Sequence, residues 1–248
     1  MRVDALTVDT YKDDGDLGVA AAAAVAPVLR DELKRRSEAS LIVATGNSQL
    51  TFIHALGAIE DLDWDRISVF HMDEYIGMSE SHPASFRRYI RENLVDRVAP
   101  RAFFGMDGDA DDLADEIDRY SKLLREHKPV ACVMGIGENG HLAFNDPPAD
   151  FQTSATVHVV NLDAACRRQQ VGEGHFRTMA DVPQQALSLT VPALLRPRHV
   201  FVVAPELRKA QAVRAALRGP VTPACPASIL RTCSHARLFL DADSASLL

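Results

Sequence analysis

The chain has 248 residues, a net charge of −7, and apolar and charged fractions of 47% and 25%. This is the balance of a globular protein large enough to bury its own core, and it excludes disordered, collagen-like and disulfide-scaffold classes. Acidic residues number 34 against 27 basic ones, with no long basic run. Neither nucleic acid nor an anionic membrane is therefore an expected partner, and any phosphate must be held by local geometry.

Cys132, Cys166, Cys225 and Cys233 form no CxxC pair and have no histidine at zinc-ligand spacing. No metal site and no disulfide framework are expected. The opening MRVDALTVDTYKDDGD is too acidic for a signal or transit peptide, and the longest apolar stretch (17–29) is too short to span a bilayer. The expected location is cytoplasmic.

In chain order, the spacing of apolar residues predicts a helix over 18–36, a strand over 41–44 and a helix over 49–59. A strand over 67–70 and helices over 85–95 and 111–126 follow, then strands over 130–133, 157–160 and 200–203. A helix over 209–217 and a strand over 238–240 complete the pattern. Several strands are apolar at nearly every position, as strands covered on both faces should be. The alternation predicts an α/β fold with a doubly wound, mostly parallel sheet and helices on both faces, Rossmann-like in outline. An antiparallel edge strand is expected somewhere. No internal repeat or composition shift marks a second domain, so residues 1–248 are expected to form one.

Ligands of open α/β sheets bind beyond the carboxyl ends of the strands. Three such ends carry unusual residues. After 41–44 come Thr45, Gly46, Asn47 and Ser48, where Gly46 permits a tight turn and Ser48 can cap the next helix. Backbone amides and the helix dipole would make an anion cradle there. The segment lacks GxGxxG and a Walker lysine, so a dinucleotide or nucleoside triphosphate is not favoured. After 67–70 come His71, Met72, Asp73, Glu74 and Tyr75. Two acids at the end of a buried strand are costly unless used or paired, and one of them can face a cleft as a general base. After 130–134 come Gly135, Gly137, Glu138, Asn139, Gly140 and His141, then Asn145 and Asp146. Three glycines in six residues imply a sharp turn or a close approach to ligand. His141 is suited to proton transfer near neutral pH, with Asp146 and Asn139 close enough in sequence to orient it.

Together and in this order, TGNS, MDEYIG…SHPASF and GIGENGHLAFNDP resemble the glucosamine-6-phosphate deaminase/isomerase family. Its wider superfamily includes 6-phosphogluconolactonases, ribose-5-phosphate isomerases and CoA transferases. DVPQQALSLT and Lys209-Ala210 extend the resemblance, which covers about residues 17 to 240. The lactonase branch typically has arginine in place of Tyr75 and ASLFPG after its Gly-His, so the chain sits on the deaminase side.

The resemblance implies conversion of an aminosugar 6-phosphate to a ketose 6-phosphate and ammonia, with no metal or organic cofactor. The implied partner is a small sugar phosphate, with a homo-oligomer left open. It assigns Asp73 to proton transfer between C2 and C1, His141 to ring opening, and Asp146 to the place of a supporting glutamate. Thr45, Gly46, Asn47 and Ser48 would hold the phosphate with Lys209, and Glu74 and Gly137 would be further substrate contacts. Asn139 stands where the family has an aspartate. Asp146 is one methylene shorter than the usual glutamate, about 1.5 Å of reach. Residues 164–176 do not align cleanly with the family's second cationic contact, for which Arg168 is the candidate. Lactone hydrolysis, or a sugar-phosphate-binding regulator that lost turnover, are the alternatives.

Overall fold

The computed structural model describes residues 1–248. Numbered in chain order, eight strands form the central sheet: β1 (Arg2–Val3), β2 (Leu6–Thr10), β3 (Ala39–Val43), β4 (Ile67–His71), β6 (Ala102–Phe104), β7 (Ala131–Met134), β10 (His199–Val203) and β11 (Ala236–Leu240). Their order is β1-β2-β11-β10-β7-β3-β4-β6, and every pairing is parallel except β1 with β2 at one edge. A second, three-stranded antiparallel sheet joins β5 (Asp73–Tyr75), β9 (Gln185–Leu189) and β8 (Val157–Asn161) in the order β5-β9-β8. The helices are α1 (Asp14–Arg35), α2 (Leu50–Gly57), α3 (Phe86–Ile90), α4 (Asp96–Val98), α5 (Leu113–His127), α6 (Ala164–Gly172), α7 (Val191–Leu194) and α8 (Ala210–Arg218).

Alternate residues of the central strands serve opposite faces. Leu41, Val43, Val133 and Val203 pack with α1 and α2, while Ile42, Cys132 and Val202 pack with α5, α8 and β9. Both faces are covered, which is why these strands read as continuous apolar runs. The doubly wound, mostly parallel expectation holds, with its antiparallel strand at the β1 edge. Residues 157–160 form a strand, but in the small sheet: Val157 is buried and Val159 is 41% exposed, so only one face is covered. No helix is long and apolar enough to cross a membrane.

From β3 the chain winds outward through β4 to β6, then returns to β7 on the other side of β3 and winds away through β10 and β11. The direction reverses between β3 and β7. A crevice forms above the carboxyl ends of strands at such a point.

Candidate active site

All three unusual strand ends meet at this crevice. Past Val43, Gly46 takes φ 103° and ψ 158°, a backbone open to glycine, and leads through one 3₁₀ turn (Asn47–Gln49) into α2. Ser48 does not cap this turn, contrary to expectation. Its Oγ instead accepts from Gln49 Nε2 at 3.2 Å, and the same amide donates to the Val203 carbonyl at 3.0 Å, tying the turn to β10. Thr45, Gly46 and Ser48 line the cleft. Asn47 does not; it is exposed and donates to the Glu173 carbonyl at 3.2 Å.

Beyond β4 the chain crosses into the small sheet, and Asp73 and Glu74 point to different surroundings. Asp73 lines the cleft, 5% exposed. Burial pushes its carboxyl well above the usual range, and the neighbouring Glu74 adds to this. Glu74 is fully buried and stands outside the cleft, which corrects its expected role as a substrate contact. Its carboxylate accepts from Ser85 Oγ (2.8 Å), Phe86 N (3.1 Å), Arg87 N (2.9 Å) and Arg87 Nε (3.3 Å). It thus serves as the anion at the N-terminus of α3. Arg87 in turn binds Asp107 and Asp109, each at 2.7 Å.

Beyond β7, Gly137 lies against the His141 ring. A Cβ at residue 137 would come within 2.2 Å of His141 Nε2, so glycine is required by close approach. His141 is 8% exposed, and its Nδ1 lies 3.1 Å from Asp146 Oδ1, a close contact rather than a well-aligned hydrogen bond. Asp146 also accepts from Asn139 Nδ2 at 2.9 Å and from Asp163 N at 3.1 Å. Burial opposes its charge, but His141, Asn139 and the Asp163 amide together hold its carboxyl below the usual range. Asn139 Oδ1 accepts from the His141 backbone amide at 3.0 Å. The asparagine therefore positions the carboxylate and the loop, and the carboxylate faces the ring.

α6 and the turn after it close the cleft with Gln169, Gln170, Glu173 and His175. Gln170 accepts from the Tyr75 hydroxyl at 2.7 Å. The Glu173 side chain is only 6% exposed, yet His175, Lys209, Gln169 and Arg208 bring its carboxyl down to about 2. Arg168 is exposed on the outside of α6 and is not brought to the cleft. Lys209, 3% exposed, does line it, and burial lowers its pKa while Glu173 opposes that shift. Arg208 sits beside it, 3.0 Å from Glu173 and 3.5 Å from Glu138.

A metal-like grouping exists within the site. Donor atoms of His141, Asp146 and Cys166 lie within 4.8 Å of one another. Protein donors already occupy Asp146, and burial pushes the Cys166 thiol up, so the group reads as a neutral thiol beside an engaged carboxylate.

A family model described as glucosamine-6-phosphate isomerases/6-phosphogluconolactonase matches residues 12–239. The chain belongs to this family. The glucosamine-6-phosphate deaminase of Exiguobacterium sibiricum is 34% identical over 227 residues, covering 89% of this chain and 86% of that protein. The one from Streptococcus pneumoniae serotype 4 is 31% identical, covering 89% and 92%. Among solved structures, a monomeric glucosamine-6-phosphate deaminase superposes with TM-score 0.88 at 28% identity, covering 98% of this chain and all of that one. A 6-phosphogluconolactonase from Shewanella baltica superposes with TM-score 0.79 at 20% identity, a likeness of fold.

This member of the glucosamine-6-phosphate isomerase/6-phosphogluconolactonase family is an enzyme, and four lining residues, Gln169, Gln170, Glu173 and His175, lay beyond sequence reasoning. They sit on α6 and the turn after it, where the sequence has only a weak apolar period. The helix is identifiable only by its cap, Asp163, whose side chain accepts from Cys166 N at 2.6 Å.

Proposed function

We propose that this enzyme converts a hexosamine 6-phosphate, glucosamine 6-phosphate first among them, to the ketose 6-phosphate and ammonia. The observation that carries the reading is that Asp73 and His141 line one cleft together with Thr45, Gly46, Ser48 and Lys209. The identities to the two deaminases support it.

His141 keeps Nδ1 towards Asp146, which leaves Nε2 for the sugar. Nε2 gives a proton to the ring oxygen as the C1 hydroxyl loses one, and the pyranose opens. Asp73 then takes the C2 proton and returns it to C1, leaving an imine at C2. Water adds to that carbon and ammonia leaves, so one sugar phosphate and one water give one ketose phosphate and one ammonia. A carboxyl kept above its usual range is the better base for a carbon acid, since its proton affinity is raised. The phosphate rests on the amides of the 45–48 turn and on Lys209, local positive groups in an acidic chain. As it stands the cleft holds about 70 Å³. Small-molecule clefts commonly hold on the order of 300 Å³ or more. Substrate admission therefore calls for the cleft to widen.

The test is direct. Purified protein is given glucosamine, galactosamine and mannosamine 6-phosphates and 6-phosphogluconolactone, and ammonia and ketose phosphate are followed. Release of ammonia from at least one aminosugar is expected. Ammonia from none, with hydrolysis of the lactone, would replace this reading by lactonase chemistry.

A further inference from the structure

A second cavity lies at the opposite end of the sheet from the cleft, where α1 and α5 finish and where the turn before β10 begins. It holds about 730 Å³, and Ile42, Leu124 and Ala193 form its floor. Six cations line it: Arg35, Arg36, Arg125, Lys128, Arg196 and Arg198. Glu32 is the one acid among the lining residues, and it pairs with Arg198 and, at 3.5 Å, with Arg36. No carboxylate pairs with Arg35, Arg125, Lys128 or Arg196. In a chain of net charge −7 this is a local reversal of sign.

Cations in the last turns of helices have an ordinary use, complementing the dipole. That account covers Arg35 and Arg36 at the end of α1 and Arg125 and Lys128 at the end of α5. It does not cover Arg196 and Arg198, which precede a strand and face the same cavity. Nor does it explain why both helix ends open onto a hollow with an apolar floor. Burial and the positive charge of Arg198 also depress the neighbouring His199, which is what a cationic field would do.

We propose that this cavity binds a small molecule carrying two or more phosphate groups on an organic body. Guanidinium forks match phosphate oxygens two at a time, and a single phosphate would leave some of the four unpaired cations unmatched. The volume falls within the usual 300–1,000 Å³ of ligand sites, and the floor suits a ring or base. Nucleoside polyphosphates and sugar bisphosphates share this chemistry.

Titration calorimetry of the whole protein at low ionic strength, with ATP, glucose 1,6-bisphosphate and inorganic phosphate as probes, tests the proposal. One of the two organic probes should saturate one site per chain, and the tighter one names the source; inorganic phosphate should not compete at equal concentration. The double substitution Arg35→Glu/Arg196→Glu should weaken binding at least about tenfold, the cost of losing one or more charge-assisted contacts. Arg125→Glu/Arg196→Glu serves if the first pair lowers the melting temperature. Lys209→Ala, in the cleft, should leave this binding unchanged. Saturable binding by neither organic probe, survival of binding in the charge-reversed proteins, or its loss in Lys209→Ala would each overturn the proposal. So would an oligomeric wild type that the charge reversals turn into monomers, since the cavity would then be a contact between copies of the chain.

Discussion

Asp73 and Glu74 are consecutive residues of one short strand, 5% and 0% exposed, and they end in opposite circumstances. Glu74 receives four hydrogen bonds from the start of α3 and from Arg87, which offset much of its burial although the carboxyl still sits above its usual range. Asp73 receives no hydrogen bond from a protein group, and both burial and Glu74 disfavour its charge. A buried carboxylate is costly unless something matches it. Where the protein supplies the match the residue is structural; where it does not, the match is left to a ligand. His141 stands between these cases. Its Nδ1 is engaged by Asp146, and the rest of the ring faces the cleft.

The sharpest way to break this contrast is Asp73→Asn. The amide cannot accept the C2 proton, so the rate should fall between about 100- and 10,000-fold in steady-state assays. Stability should move the other way. The folded pKa of Asp73 is raised, so its ionisation opposes folding once the pH passes its unfolded value, about 3.9. The wild type has no such penalty at pH 3 and carries it at pH 7. The melting temperature of the variant relative to wild type should therefore rise from acid to neutral pH. A rate within threefold of wild type would remove Asp73 from the chemistry.

Glu74→Gln should do the reverse. It leaves Arg87 facing only Asp107 and Asp109 and turns an amide N–H towards the donors of α3. Breaking a buried ion pair costs about 3 kcal/mol. In a chain of this size the melting temperature should drop by roughly 8 °C. Turnover of the folded protein should stay within about tenfold. A loss of turnover matching that of Asp73→Asn, without loss of stability, would make Glu74 the base.

These two fates were only half legible in the sequence. An acid pair after an apolar strand announced that one acid would face a cleft, and Asp73 does. That Glu74 would be claimed by Ser85, Phe86 and Arg87, more than ten residues away, depends on a tertiary contact that no local pattern encodes. Strands β3, β4, β7, β10 and β11 of the central sheet were legible because both faces are covered. β1, β2 and β6, at or next to its edges, were not, nor were β5 and β9: all are short or partly polar, and β5 and β9 owe their form to pairing in the second sheet. Ser48 was read as a cap by residue type alone. Gln49 decides otherwise by reaching across to β10. The second cationic contact was sought at Arg168, whose place on α6 faces outward, whereas His175 and Lys209 line the cleft.

Asp146→Asn tests the half-closed case. It keeps a side-chain oxygen near Nδ1 but removes the charge that stabilises the imidazolium during ring opening. The rate should fall about 30-fold, below the loss for Asp73, because Asp146 acts through His141. A structural role alone would not change the pH profile; here the profile should move, because the charge facing Nδ1 is gone. Asn139→Asp in the same chain should restore part of the rate, since residue 139 lies 2.9 Å from residue 146. An unchanged profile and rate in Asp146→Asn would end this account of how Asp146 supports His141.

The smallest expected effect concerns the mirror of the Gly46 turn. At the end of β10, Glu206 takes φ 82° and ψ 141° and leads through a 3₁₀ turn (Leu207–Lys209) into α8, as Gly46 leads into α2. The same backbone is thus built once with glycine and once with glutamate. A side chain in this region costs on the order of 1–3 kcal/mol, and it persists only where surroundings hold it. Here Glu206 N donates to Asp241 Oδ2 at 2.9 Å, and the Glu206 carboxylate engages Arg208 beside the cleft. Glu206→Gly should relieve the strain while adding about 0.5–1 kcal/mol of unfolded-chain entropy and freeing one partner of Arg208. The balance is a gain of about 1 kcal/mol, read as a rise of a few degrees in melting temperature. Arg208 keeps Glu173 and Glu138, so turnover should change little while KM for the sugar phosphate shifts. Like Glu74, Glu206 would then be an acid whose match is made within the protein, held at a backbone cost that Gly46 avoids. A lower melting temperature in Glu206→Gly would show that the carboxylate's contact with Arg208 outweighs the strain.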